Sequence, residues 1–331
     1  MEQAETVGHW RRVAELSARL PGADATELCA ALDDAVEFAA CEGKSIAEAI
    51  REFLADGWGN ARPDLQFVLG LSAKPRALSW EYKLPVMPKA AARLLRTSDE
   101  DTSAAELESI AAADQVLAGT LLGAANSALH GSGYEITRLR EAVMRLGIPT
   151  ARKVLLTAGL GALFASRPLQ ELWEHSLRAA QAAHEVAALC GVDGETAYTA
   201  GLLHDIGRLI LAGCPSHLRI AEQAWLAAGF PLTYAETLVH GSDHALIGAD
   251  LLRRWELPDE IVDAVALHHR PECSDVRLNA VLCLAEDLSA GVPEDLWPGL
   301  RRATACERAG IDPAQIEALR GSRALLNRLS A

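Results

Sequence analysis

The sequence predicts an all-α protein, and three observations carry that prediction. Ala and Leu recur throughout the 331 residues while aromatic residues make up 5%. That mix favours helices, because Ala and Leu lead the helix scale while β-branched and aromatic residues prefer strands. Apolar positions repeat at spacings of three and four, the period of a helix with one buried face. No stretch alternates apolar and polar residues over a useful strand length, and no period of about 20–50 residues marks a repeat protein.

The elements follow in order. "HWRRVAELSARL" and "ATELCAALDDAVEFAACEG" read as helices, with Gly22 and Gly43 at their ends. Ser45 stands three residues before Glu48 in "SIAEAIREFLADG", the spacing of a capping box. "GWGNARP" reads as a break, and "DLQFVLGL" is compatible with a short strand or a helix. The Pro-punctuated "SAKPRALSWEYKLPVMP" reads as a linker. A boundary near residue 80 separates residues 1–80 from residues 81–300, with residues 301–331 as a C-terminal helical tail. Within 81–300, an upstream helical half covers 81–168 and a downstream half 169–300.

Helical periods return with "KAAARLLRT" and "TSAAELESIAAAD", where Ser103 is the expected N-cap three residues before Glu106. "QVLAGTLLGAANSAL", the Gly-rich turn "HGSGYE" and "TRLREAVMRLG" come next, then "TARKVLLTAGLGALFAS" behind Pro149. Six further helical segments are expected from Pro168 to about residue 290, and another at "DPAQIEALRGSRALLNRL".

Composition removes several functional classes. A net charge of −14 with no long run of Lys and Arg argues against a protein that tracks a nucleic-acid backbone. A local basic pocket for a small phosphorylated ligand or nucleotide stays compatible with that balance. Seven Cys, an odd number with no C-x-x-C spacing, indicate neither a disulfide framework nor a zinc knuckle, so buried thiols in a reducing cytoplasm are expected. The opening "MEQAETVGHWRR" has no apolar signal-peptide core. The longest apolar run, Val154 to Ala165, is 12 residues, too short to span a bilayer.

The chemistry concentrates in histidines and aspartates of the downstream half. "GLLHDIGRLILAG" places His204 and Asp205 inside an apolar run, where an ionised carboxylate costs several kcal/mol unless something pairs with it. His175 lies in the amphipathic "LQELWEHSLRAAQAAHEVAALCG". His244 sits just inside a helix expected to start at Ser242, His268 and His269 end "PDEIVDAVALHHRP", and Asp287 lies in "NAVLCLAEDLSAG". Each alone has a bland reading: a satisfied core histidine, a pair at a helix C-terminus, a solvated acid. Together, five His and two Asp on successive helical segments match the donors that suit Fe, Mn or Zn. Seven ligands exceed one ion and fit two divalent ions, Fe or Mn ahead of Zn, with Asp205 as a bridge. A cation would also stabilise the buried carboxylate. His184, nine residues after His175, is about half a turn away and should face elsewhere. His9, His130, His217 and His240 lie outside the set.

The order H, HD, H, HH, D resembles the HD superfamily of metal-dependent phosphohydrolases. Upstream, "LPVMP" (84–88), "ANSALHG" (125–131) and "ITRLREAVMRLGIPTARKVLL" (136–156) resemble the HDOD domain, a bacterial signalling module, and the resemblance runs from about residue 84 to 290. It implies an HD-like helical bundle with an upstream helical subdomain. It also implies one metal on His175, His204, Asp205 and Asp287, and another on Asp205, His244, His268 and His269. HDOD domains commonly lose several of these positions and are regarded as regulatory, whereas this chain keeps the whole set, as in the HD-GYP branch that degrades cyclic di-GMP.

Two departures from HD-GYP bear on catalysis. The Lys three residues after the HD is here Arg208, and "RPECSD" follows His269 with no G-Y-P. Arg208 can clamp a phosphate but stays protonated, so it is a poor general acid. Three readings follow. The first is a cytoplasmic signalling module with a metal site, acting mainly through a protein partner, without nucleic acid or membrane. The second is a metal-dependent phosphohydrolase using Asp205 and Arg208, with a phosphodiester or cyclic dinucleotide as substrate. The third is a metal-free helical scaffold.

Overall fold

The computed structural model describes residues 85–96, 102–127, 136–227, 231–289 and 298–330. The readings for residues 1–80, including the Ser45 cap, "DLQFVLGL" and the boundary near residue 80, lie outside these, as does the "HGSGYE" turn. Every regular element among the described residues is helical, so the fold is all-α. None of these helices is long and apolar enough to cross a membrane.

The upstream half comprises α1 (Lys89–Leu95), α2 (Ala104–Ala112), α3 (Gln115–Ser127), α4 (Leu139–Leu146) and α5 (Ile148–Gly161). Ser103 caps α2 by accepting from the Glu106 backbone N–H at 3.2 Å, as its spacing predicts. Asn126 fixes the path out of α3. Its amide donates to the Ile136 carbonyl at 3.0 Å, and its own oxygen accepts from the Ile136 N–H at 2.9 Å. This two-way bond gives the Asn of "ANSALHG" a physical role. Pro149 opens α5, where its missing N–H costs nothing.

A long helix, α6 (Arg167–Cys190), carries the downstream half, followed by α7 (Gly194–Leu203), α8 (Ile206–Ala212), α9 (Ser216–Ala227), α10 (Leu232–His240), α11 (His244–Arg254), α12 (Asp259–Ala266) and α13 (Arg277–Ser289). Among the described residues this half thus has eight α-helices, α6 to α13, where the sequence period gave six. A helix of two turns, such as α8, completes too few apolar periods to stand out from its neighbours. Two more helices, α14 (Pro298–Ala309) and α15 (Pro313–Ser330), pack onto this bundle over the stretch read as a C-terminal helical tail, with α14 starting just before residue 301.

Two glycines set the helix crossings that matter. A Cβ on Gly207 would lie 2.0 Å from the His244 carbonyl and 2.8 Å from the Gly248 N. The backbones of α8 and α11 therefore touch, and only glycine fits at this crossing. A Cβ on Gly201 would lie 2.8 Å from the Ala180 Cα, so α7 presses against α6 in the same way. The halves join through α5. Lys153 pairs with Glu195 at 2.7 Å and the Thr157 and Tyr198 hydroxyls meet at 3.0 Å, while within the upstream half buried Arg152 donates to the Leu94 carbonyl at 2.6 Å. One continuous apolar core runs through both halves.

Candidate metal centre

The predicted histidines converge, and they do so through one atom type. His204 and Asp205 occupy the turn between α7 and α8, which the Gly207 crossing holds against the start of α11 and His244. His268 and His269 follow α12, and His175 faces His204 from α6. His175 and His204 meet Nε2 to Nε2 at 3.2 Å, and His244 and His269 do the same at 2.9 Å. Nitrogens sharing one ion through bonds of ~2.1 Å stand about 3 Å apart, so these separations suit shared cations.

Three rings are locked with Nε2 inward. His204 Nδ1 faces the Gly201 carbonyl at 2.7 Å, and His268 Nδ1 faces that of Val265 at 2.6 Å. His244 Nδ1 faces the Glu236 carboxylate at 2.6 Å. Occupying Nδ1 as a donor leaves Nε2 as the free ligand atom, the usual arrangement around a bound metal. His268 Nε2 is buried with no hydrogen-bond partner among the described residues, an orphan that a cation would satisfy.

Asp205 lies between two groups of donors. Its Oδ2 is 3.7 Å from His175 Nε2. Its Oδ1 is 3.1 Å from His244 Nε2, 3.5 Å from His204 Nε2 and 3.9 Å from His268 Nε2. Three sets of ligand atoms lie close enough to share an ion: His175, His204 and Glu286; His204, Asp205 and His268; and His244, His268 and His269.

Glu286 is the correction to the predicted set. Its Oε2 lies 2.9 Å from His175 Nε2 and 3.0 Å from His204 Nε2. Asp287 points elsewhere: its carboxylate meets Arg302 Nε at 2.7 Å and Arg320 Nη2 at 2.5 Å, on α14 and α15. Neighbours on a helix are about 100° apart, so one of the two faces the histidines and the other the C-terminal helices. The N-cap of α11 is likewise Asp243, which accepts from the Leu246 N–H at 2.9 Å, rather than Ser242.

The remaining expectations hold or fall outside. His184 faces the Gly194 carbonyl at 2.9 Å, away from the centre as its spacing predicts. His240 also stays apart, with Nε2 3.0 Å from Glu222 and Nδ1 3.8 Å from the Cys214 sulfur. His9 and His130 lie outside the described residues, as does the side chain of His217.

The electrostatics match a cation site. Burial opposes the charge on Asp205, but His204, His244 and Arg208 outweigh it and hold the carboxyl well below its usual range. Burial is likewise overcome at Glu286, chiefly by His175, and its carboxyl is also held well below the usual range. Burial works against a charge on His175 too, but Glu286 and Asp205 push its pKa up to about 9. His244 is raised against burial by Glu236 and Asp205. His268 is driven well down, first by burial and then by the neighbouring His269, His204 and His244. The carboxylates around His175 and His244 thus favour positive charge there, as they would favour a bound cation. Arg208 Nη1 lies 3.2 Å from Asp205 Oδ2 and is partly exposed, so a guanidinium stands at the rim of the centre.

Sequence reasoning missed Glu286, Glu236 and the Asp243–Arg270 pair, the last at 3.2 Å. A signal for Glu236 existed. It is the one acidic residue in "LTYAETLVH", which is buried along its whole length, the same anomaly that singled out Asp205.

The chain is similar to several known proteins. The HDOD domain family model matches residues 84–271. An HDOD domain protein of unknown function from Geobacter sulfurreducens superposes with a TM-score of 0.64 at 24% identity, covering 81% of this chain and 98% of that one. A candidate phosphohydrolase from Shewanella amazonensis SB2B superposes with a TM-score of 0.58 at 25% identity, covering 77% and 93%. Among curated relatives, ribonuclease Y of Thermus thermophilus is 32% identical over 185 residues, which is 54% of this chain and 28% of that protein. An uncharacterised protein of Treponema pallidum is 26% identical over 192 residues, 56% of this chain and 37% of that one. The chain therefore spans about a third of the length of these curated relatives.

Proposed function

The chain belongs to the HDOD domain family, and from that premise we propose that it is a signal-transduction module built around a two-ion centre and acting mainly through a protein partner. His175, His204, Asp205 and Glu286 hold one divalent ion. Asp205, His244, His268 and His269 hold the other, with Asp205 as the bridge. The observation that carries this reading is the convergence of four imidazole Nε2 atoms on Asp205, with His269 Nε2 beside that of His244 and three of the rings locked through Nδ1. Nitrogen and carboxylate donors favour Fe or Mn, with Zn next. The ions brace the helices that carry their ligands, and the upstream helices supply the contact surface.

A second reading is a metal-dependent phosphohydrolase, favoured by the complete ligand set and by Arg208 at its rim. Bound divalent ions would polarise a phosphoryl oxygen as Lewis acids. Arg208 would hold a second phosphate oxygen, and Asp205 would fix the ligand geometry. Arg208 cannot return a proton near pH 7, and this is why regulation ranks ahead of turnover. The partial match to ribonuclease Y adds RNA as an assay substrate, although a net charge of −14 disfavours a long polyanion.

Elemental analysis of the purified chain tests the metal reading, with two ions per chain expected. Fewer than about one would sink it and leave the metal-free scaffold. Hydrolysis of a generic phosphodiester, cyclic di-GMP and short RNA with added Mn or Fe then tests turnover. Turnover that disappears in Asp205→Ala would replace the regulatory reading with the enzymatic one.

A further inference from the structure

We propose that Glu236 is a positioning residue for the second ion site, one that supplies through His244 a second negative charge to a site whose only carboxylate ligand is shared with the first. The inference rests on the two-ion reading above and names a residue outside its ligand set.

The geometry is specific. Glu236 is buried on α10, a helix that carries none of the metal ligands and is buried at every position. One oxygen, Oε2, accepts twice from a single residue: from the His244 backbone N–H at 2.8 Å and from His244 Nδ1 at 2.6 Å. The first bond satisfies an N–H at the start of α11, which no helical carbonyl can reach. The second fixes the ring so that Nε2 points inward, 3.1 Å from Asp205 Oδ1 and 2.9 Å from His269 Nε2. Backbone and ring are thus aimed by one atom.

The charge distribution explains why a carboxylate stands here. His204 and His268 are held through Nδ1 by neutral carbonyls. The first ion site has two carboxylates, Glu286 and Asp205. The second has three imidazoles and shares Asp205. A dication that has only a share of one carboxylate gains from a further anion nearby, and Glu236 provides it across the width of the His244 ring. A carboxylate on Nδ1 also makes Nε2 a better donor than a carbonyl does.

The test is a competitive chelator titration of the full chain with Mn(II), comparing the parent with Glu236→Gln. Gln keeps the volume and an acceptor oxygen, and circular dichroism melting confirms that the variant folds. Two ions are expected in the parent. In the variant the first should bind unchanged and the second about 10–100-fold more weakly. In a His244→Ala background, adding Glu236→Gln should change second-site affinity less than about twofold, because the residue acts through His244. Equal affinities in parent and variant, or equal weakening of both sites, would overturn the positioning role while leaving the two-ion reading intact. A parent chain that binds fewer than two ions would overturn both.

Discussion

Among the described residues before Arg167, the polar or charged side chains that become buried are Thr102 and Arg152. From Arg167 onward the buried set includes His204, Asp205, Glu236, His240, Asp243, His244, His268 and Asn279. The upstream half is thus held by apolar packing such as Leu121 and Leu155, which depends on shape alone. The downstream half buries groups that cost energy unless each is partnered, so its stability is tied to how those groups are paired.

The sharpest way to break the comparison is Asp205→Ala. It removes the carboxylate that lies between both donor groups, and metal content should fall from two ions per chain to below one by elemental analysis. A variant that still held two would rule out the bridge.

Gly207→Ala comes next. Its methyl meets backbone rather than a side chain that could rotate away, so a loss of at least ~3 kcal/mol is expected, with metal content falling alongside. Leu155→Ala, in the upstream half, should cost a comparable ~2–5 kcal/mol yet leave metal per folded chain unchanged. Denaturant titration with metal analysis separates the two, and equal metal loss in both would mean that the halves are not independent.

A smaller effect concerns His240, held by Cys214 and Glu222 against the cost of burial, with its pKa raised from 6.5 to about 9. A raised folded-state pKa stabilises fully below pH 6.5 and loses that contribution as pH climbs through about 9. The melting temperature of the parent should therefore exceed that of His240→Gln by several degrees below pH 6.5, and the gap should close towards pH 9. A gap independent of pH would mean packing alone.

The least disruptive change is Arg208→Lys. It restores a group able to transfer a proton at the rim, leaves metal content untouched, and should raise phosphodiester turnover above that of the parent. Unchanged rates would place the block elsewhere, for example in the absence of a G-Y-P segment after His269.

The helical class, the run of helices from Lys89 to Ser289 and the histidines of the centre were legible in the sequence, because each leaves a local mark. Apolar period marks a helix, a carboxylate inside an apolar run marks a buried partner, and nine-residue spacing turned His184 away from His175. The choice between Glu286 and Asp287 left no such mark. Every residue from Leu278 to Ala285 is buried, so period offers no preferred face, and the choice falls to Arg302 and Arg320 arriving from α14 and α15. Glu236 depends in the same way on α10 packing beside the start of α11. Sequence alone determined which groups could bind a cation, since donor chemistry belongs to the residue. Tertiary structure decided which of them meet, since a helix presents adjacent residues about 100° apart and only its neighbours select the face turned inward.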